Sequence, residues 1–255
     1  MTSQAARWAF ALLTLFASTA MHAQSLILRP AVVPLAGQPG QGVTQELTLQ
    51  NESDTALDFR LEAQDVIVRN GARVFVEAGK LADSIAASAA FTPRQVTVPA
   101  HSSVRVSVTF TLPAAVQHRA VIAVFRGTSK VRTGSGNATL SLGTLFTFSL
   151  SDRVSVAAQP LQARPPTAQS MLVLAAHMVN NGSEPVVPTG MAVLLDASGR
   201  MVGKSAFKPH RLLPGEAGDL RADYAGDLPT GAYRAIATFD IAGKPLTLDG
   251  TLQVP

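Results

Sequence analysis

The 255-residue sequence is 47% hydrophobic and 15% charged, which supplies ample apolar surface for a core and excludes a disordered chain. Its formal net charge of +4 falls to +3 once Arg7 of the N-terminal leader is set aside, and the basic residues are scattered, so a nucleic-acid-binding protein is excluded. No cysteine is present, and stability must come from packing and strand ladders without disulfides.

Residues 1–23 read as a cleaved secretory signal. Arg7 gives a cationic start, residues 8–19 form an apolar stretch, and Met21-His22-Ala23 offers a small-residue cleavage site. The apolar stretch is about twelve residues long, against the roughly twenty that span a bilayer. The mature chain is therefore expected to begin near Gln24 and to be exported to the periplasm, with no integral membrane segment after cleavage.

From Ser25 onward, short runs alternate apolar and polar residues between Gly, Pro, Asn and Asp, the period-2 signature of strands. Strands are predicted over 26–35, 44–51, 57–68, 73–77, 94–99, 103–112, 120–126 and 139–150. Asn70-Gly71 predicts a tight hairpin, because both residues accept positive φ. The Ala and Ser content of 80–90 fits either a weak helix or a loop. Gly and polar residues over 128–137 predict an exposed loop.

Pro160, Pro165 and Pro166 favour extended chain and make 157–169 the best boundary between domains. Beyond it, strands are predicted over 171–180, 190–196, 200–207, 218–224, 231–241 and 245–254. Their turns fall at the spacing of a second seven-stranded sandwich. The fold class is all-β, with two immunoglobulin-like β-sandwich domains over 24–156 and 170–255 joined by the proline-rich linker.

Chemistry-bearing patterns are sparse. His101 and His210 follow prolines in turns, and His118 and His177 read as loop or sheet-face residues; none has a ligand partner at metal-binding spacing. Gly134-Ser135-Gly136 lacks the outer glycines and context of a nucleophile elbow. Asp65, Asp83, Asp152, Asp196 and Asp240 lie tens of residues apart, outside any calcium-loop spacing. Lys204, Lys208, His210 and Arg211 read as a solvated edge. The Asn-x-Ser/Thr triplets at Asn51, Asn137 and Asn181 read as turn chemistry. The expectation is a non-enzyme without catalytic residues, metal or cofactor.

The most informative run is 139–150. Leu140, Leu142, Thr144, Phe146, Phe148 and Leu150 share one face, either as the core face of a last strand or as side chains offered to a partner at an open edge. These two roles can coexist along one strand.

A signal peptide, two immunoglobulin-like domains and an alternating apolar strand closing the first domain resemble the periplasmic chaperones that assemble pili, the PapD-like family. Leu28-Arg29-Pro30-Ala31-Val32-Val33 resembles the family's first strand. The resemblance implies that Arg29 binds the carboxylate of a pilus subunit. His118-Arg119-Ala120-Val121-Ile122 matches the penultimate strand, and Ser151-Asp152-Arg153 the arginine that ends the last one.

The pattern departs where the family has a lysine four residues before that arginine, since Ser149 stands there, and where Val154 replaces a proline. The resemblance implies a divergent member that binds secreted, pilin-like subunits, with an outer-membrane usher as a further partner. It also makes Arg29, Leu140, Leu142, Phe146 and Phe148 the partner-binding residues. A second resemblance, carried by Pro39-Gly40-Gln41, the stretch 47–54 and the Asn70-Gly71 hairpin, is to the N-terminal domain of WxL-associated surface proteins. It implies a cell-envelope module that binds cell-wall components.

Overall fold

The computed structural model describes residues 26–115, 117–130, 137–167 and 169–255. The expected signal peptide and its cleavage site lie outside these residues. In chain order the strands of the first body are β1 (Leu26–Arg29), β2 (Val32–Ala36), β3 (Gly42–Asn51), β4 (Leu57–Arg69), β5 (Ala72–Glu77), β6 (Ala90–Thr92), β7 (Gln95–Val98), β8 (Ser102–Thr111), β9 (Ala120–Lys130) and β10 (Asn137–Ser149). The second body comprises β11 (Val156–Ala158), β12 (Gln162–Arg164), β13 (Leu172–Asn180), β14 (Thr189–Leu195), β15 (Met201–Ala206), β16 (Ala217–Tyr224), β17 (Gly231–Ile241) and β18 (Lys244–Val254). The fold is all-β, with four sheets forming two sandwich bodies.

In the first body one sheet runs β1-β3-β8-β6. The other runs β2-β10-β9-β4-β5, and β7 continues the β5 side of β4. Alternation along each strand sends one row of side chains inward: Leu47 and Leu49 from β3, Phe59 and Leu61 from β4, Val106, Val108 and Phe110 from β8, and Phe125 from β9 are all buried. Phe110 stands edge-on to Phe146 at 4.9 Å between centroids and to Phe148 at 6.4 Å, which joins the two sheets through their aromatic rings. The hairpin between β4 and β5 turns on Asn70 and Gly71 at φ 52° and 76°, as their residue types predict.

The second body pairs β13 with β11 and β12 on one side and β16 on the other, facing a sheet ordered β15-β14-β17-β18. Its core gathers Leu174, Met178, Leu194, Leu220 and Phe239. The proline-rich stretch 157–169 thus carries β12 and most of β11, each hydrogen-bonded to β13.

Three local features refine the sequence reading. The run 26–35 is two strands in two different sheets, because the chain crosses the sandwich at Pro30 and Ala31. Of the two expectations for 80–90 the loop is the one observed, and it contains a single 3-10 turn at Ala86–Ser88. Part of the loop expected over 128–137 lies outside the described residues, with β9 extending to Lys130 and β10 starting at Asn137.

Candidate functional site

Every strand of a sandwich needs a neighbour on each side or a means of coping with an open edge. β10 has β9 on one side from Asn137 opposite Lys130 to Thr147 opposite Ala120. On its other side β2 runs parallel, but only from Leu145 opposite Val32 to Ser149 opposite Ala36. Among the described residues no strand flanks the 137–144 half.

Backbone parity identifies the groups on that edge. Leu145 N donates to Ala31 O at 3.0 Å on the β2 side, whereas Phe148 N donates to Arg119 O at 2.8 Å on the β9 side. Odd-numbered residues of β10 therefore point their N–H and C=O groups away from β9. Thr139, Ser141 and Gly143 present theirs at the open edge. Thr144 closes the window at its inner end by donating from Oγ1 to Pro30 O at 2.8 Å. At Gly143 a Cβ would collide with Cδ1 of Ile122 on β9, so a side chain there would have to push the Ile122 side chain aside.

The even-numbered row faces the sandwich interior and divides in two. Phe146 and Phe148 are 0% exposed and belong to the core. Leu140 and Leu142 are half-buried and pack against the margin of the same cluster. Arg29 is exposed at the end of β1, opposite Thr48, next to the proline whose carbonyl holds Thr144. The structure thus brings Leu140, Leu142 and the open edge together, places Phe146 and Phe148 in the core, and sets Arg29 at the sheet crossing near the covered end.

The covered end of β10 is tied to the second body. Glu184, 2% exposed, accepts from Leu150 N at 2.9 Å and from Ser151 Oγ at 2.8 Å, with Arg119 Nε 3.5 Å away. Glu216, 6% exposed, accepts from Leu213 N and from Arg73 Nε of β5, each at 2.8 Å. Arg73 also donates to Arg211 O at 2.6 Å, and Arg211 reaches Thr147 Oγ1 of β10 at 3.2 Å. Arg211 is therefore part of the join between the bodies, unlike its expected place on a solvated edge, and burial followed by the nearby Arg73 charge lowers its pKa. Val66, Ala120 and Leu145 meet Leu213 in a small apolar cluster beneath these bonds.

Sequence spacing gave no sign of these buried glutamates, nor of the group around His118. That ring lies between Asp65, 0% exposed on β4, and Asp83, with Nε2 and Nδ1 at 3.0 Å and 3.1 Å from their carboxylate oxygens. His177 pairs with Asp219 at 2.7 Å and His101 with Asp54 at 2.9 Å, both on the surface. Among the described residues no three His, Cys, Asp or Glu side chains are grouped to hold a metal ion. Asn51 is wholly buried, its Nδ2 donating to the carbonyls of Thr55, Val98 and Pro99, so this triplet serves a turn. Among the described residues no helix is long and apolar enough to cross a membrane.

The model of the Fn3-like domain matches residues 37–137, and no curated protein sequence matches the chain. Solved structures similar to this chain include the class 5 fimbriae chaperone CfaA, at 15% identity over 91% of this chain and 100% of that one, with a TM-score of 0.44. The Escherichia coli chaperone DraB is 14% identical over 90% and 99%, with a TM-score of 0.41. In a complex of the Salmonella enterica SafA pilin with the SafB chaperone, the similar chain is 10% identical over 91% and 99%, with a TM-score of 0.44. These similarities extend over about nine tenths of this chain at low sequence identity.

Proposed function

We propose that this chain is a periplasmic chaperone that binds secreted, pilin-like subunits by adding the open half of β10 to their sheet. The observation that supports it most is the pairing of two properties in one place. Thr139, Ser141 and Gly143 offer outward backbone groups, and the intervening Leu140 and Leu142 offer half-buried apolar side chains. Strand addition needs both, because ladder bonds supply affinity and alternating side chains supply selectivity. On this reading Arg29 is an anchor for a subunit carboxylate, and Phe146 and Phe148 hold the strand in the core. An outer-membrane usher would receive the loaded subunit. The two bodies serve as its domains, the first ending with β10 and the second beginning with β11 at Val156, most of that strand lying inside the proline-rich stretch.

The test is co-expression of the full chain with secreted subunits encoded beside it, followed by hydrogen exchange on any complex. The reading expects co-purification and slowed exchange at the Thr139, Ser141 and Gly143 amides. No capture of subunits, together with binding to purified cell wall, would overturn it in favour of a cell-envelope module.

A further inference from the structure

His118 lies between β8 and β9 with both ring nitrogens against carboxylate oxygens, Asp65 of β4 at 3.0 Å and Asp83 of the β5–β6 segment at 3.1 Å. Its side chain is 9% exposed. Each carboxylate has other donors. Asp65 accepts from Ser84 Oγ at 2.5 Å and Ala86 N at 2.9 Å, and Asp83 from Gln117 N at 2.7 Å. An ionised carboxylate only accepts, so both His118 contacts are hydrogen bonds only when the ring carries two N–H groups. A neutral ring satisfies one carboxylate and turns a lone pair toward the other.

The two partners differ in what they can do next. Asp65 is sealed in and held by two further donors, whereas the Asp83 side chain is 20% exposed and can return to water. The other charge nearby is Arg119, whose Nη1 lies 3.5 Å from the His118 carbonyl and whose Nε faces Glu184 of the second body. Leu213 and Pro214, also of the second body, close the far wall of the notch beside the ring and bring no charge. The balance at His118 is therefore set by Asp65 and Asp83.

We propose that Asp65, His118 and Asp83 form a pH-operated latch. The protonated ring fastens the β5–β6 segment to the segment entering β9, and deprotonation frees the Asp83 side while Asp65 stays bound. Burial acts to lower the His118 pKa, but hydrogen bonding and charge from Asp65, then from Asp83, outweigh it and raise the value. The latch forms a wall of a cavity of about 290 Å³ that Leu213 and Pro214 also line, so its release alters the surface where the two bodies meet.

The experiment uses the full chain without any partner, so it is independent of the chaperone reading. Imidazole nitrogen NMR should show two protonated nitrogens on His118 at about pH 6, the ordinary range of histidine titration, and loss of one at higher pH. Across that titration, after correction for intrinsic base catalysis, exchange of the Gln117 amide should accelerate roughly tenfold or more, while the Ala86 amide bound to Asp65 keeps its protection. In Asp83→Asn the extra pH dependence at Gln117 should vanish. A singly protonated ring at pH 6, or loss of protection at Gln117 and Ala86 together, would overturn the latch.

Discussion

Glu184 of the second body holds the first residue after β10, Leu150, by accepting its backbone N–H at 2.9 Å from a carboxylate that is 2% exposed. Ser151 Oγ and Arg119 complete the carboxylate's surroundings, so the strand that carries the open edge is fastened at its far end by a buried charge. Removing that charge strands three groups. Glu184→Ala is expected to cost about 3–5 kcal/mol in urea unfolding, as for other broken buried pairs, whereas Ser151→Ala should cost only about 1 kcal/mol. Equal, small losses would show that Glu184 is solvated in solution.

The bond from Arg73 to Glu216 is expected to couple the unfolding of the two bodies. Arg73 also caps Arg211 O, so Arg73→Ala removes two contacts across the join and leaves each sandwich core intact. Calorimetry should resolve one transition into two, and small-angle scattering should report a broader distribution of shapes. A single transition at unchanged temperature would assign the coupling to the apolar cluster around Leu213 instead.

Along β10 the two readings of the apolar row separate by position. Phe146→Ala, in a site with 0% exposure, should lower stability by about 3–5 kcal/mol. Leu142→Ser should remain folded and weaken subunit capture by about tenfold, since about 1.4 kcal/mol of apolar contact is at stake. Ser141→Pro is the sharper test: it deletes an outward N–H that β9 does not use, and proline is tolerated at sheet edges. A folded Ser141→Pro protein that still captures subunits would sink the strand-addition reading.

Stability should show a plateau bounded on both sides by the His118 group. Burial tends to raise the carboxyl pKa values, but bonds from His118, Ser84 and Ala86 hold Asp65 below its usual 3.8, and the Gln117 amide and the His118 charge do so for Asp83. Their contribution is present above that value and lost as pH falls through the lower folded values. His118 runs the other way. Its contribution is full below its ordinary 6.5 and is lost as pH rises through the raised folded value. Urea midpoints should therefore be flat between about pH 4 and 6.5 and fall beyond on each side, with both slopes reduced in Asp83→Asn. A midpoint that climbs above pH 7 would contradict this.

Much of the architecture was legible because strands announce themselves locally. Period-2 alternation and the Asn70-Gly71 turn depend on neighbours in sequence, and the structure places strands and that hairpin where the pattern put them. The break between β1 and β2 was hidden because alternation continues through Pro30 while the chain changes sheets. β12 escaped notice because its three residues are too few to display a period and are flanked by prolines. The edge-strand residues were visible as a row, but sequence alone does not say how far β2 covers that row. In sequence His118 shows only a loop or sheet-face pattern, since its partners Asp83 and Asp65 lie 35 and 53 residues away and no spacing rule links them.

The partial cover of β10 by β2 also acts as a ruler. Thr144 is taken by Pro30 O and Leu145 N by Ala31 O, so among the described residues the uncovered stretch of β10 ends at Gly143 and includes Asn137 to Gly143. At about 3.4 Å per residue these residues span roughly 24 Å. An incoming strand that tries to slide further must abut β2 end to end. The collision is a hard stop that sets alignment without reading any side chain, so on the strand-addition reading incoming strands of differing sequence would seat in a single register.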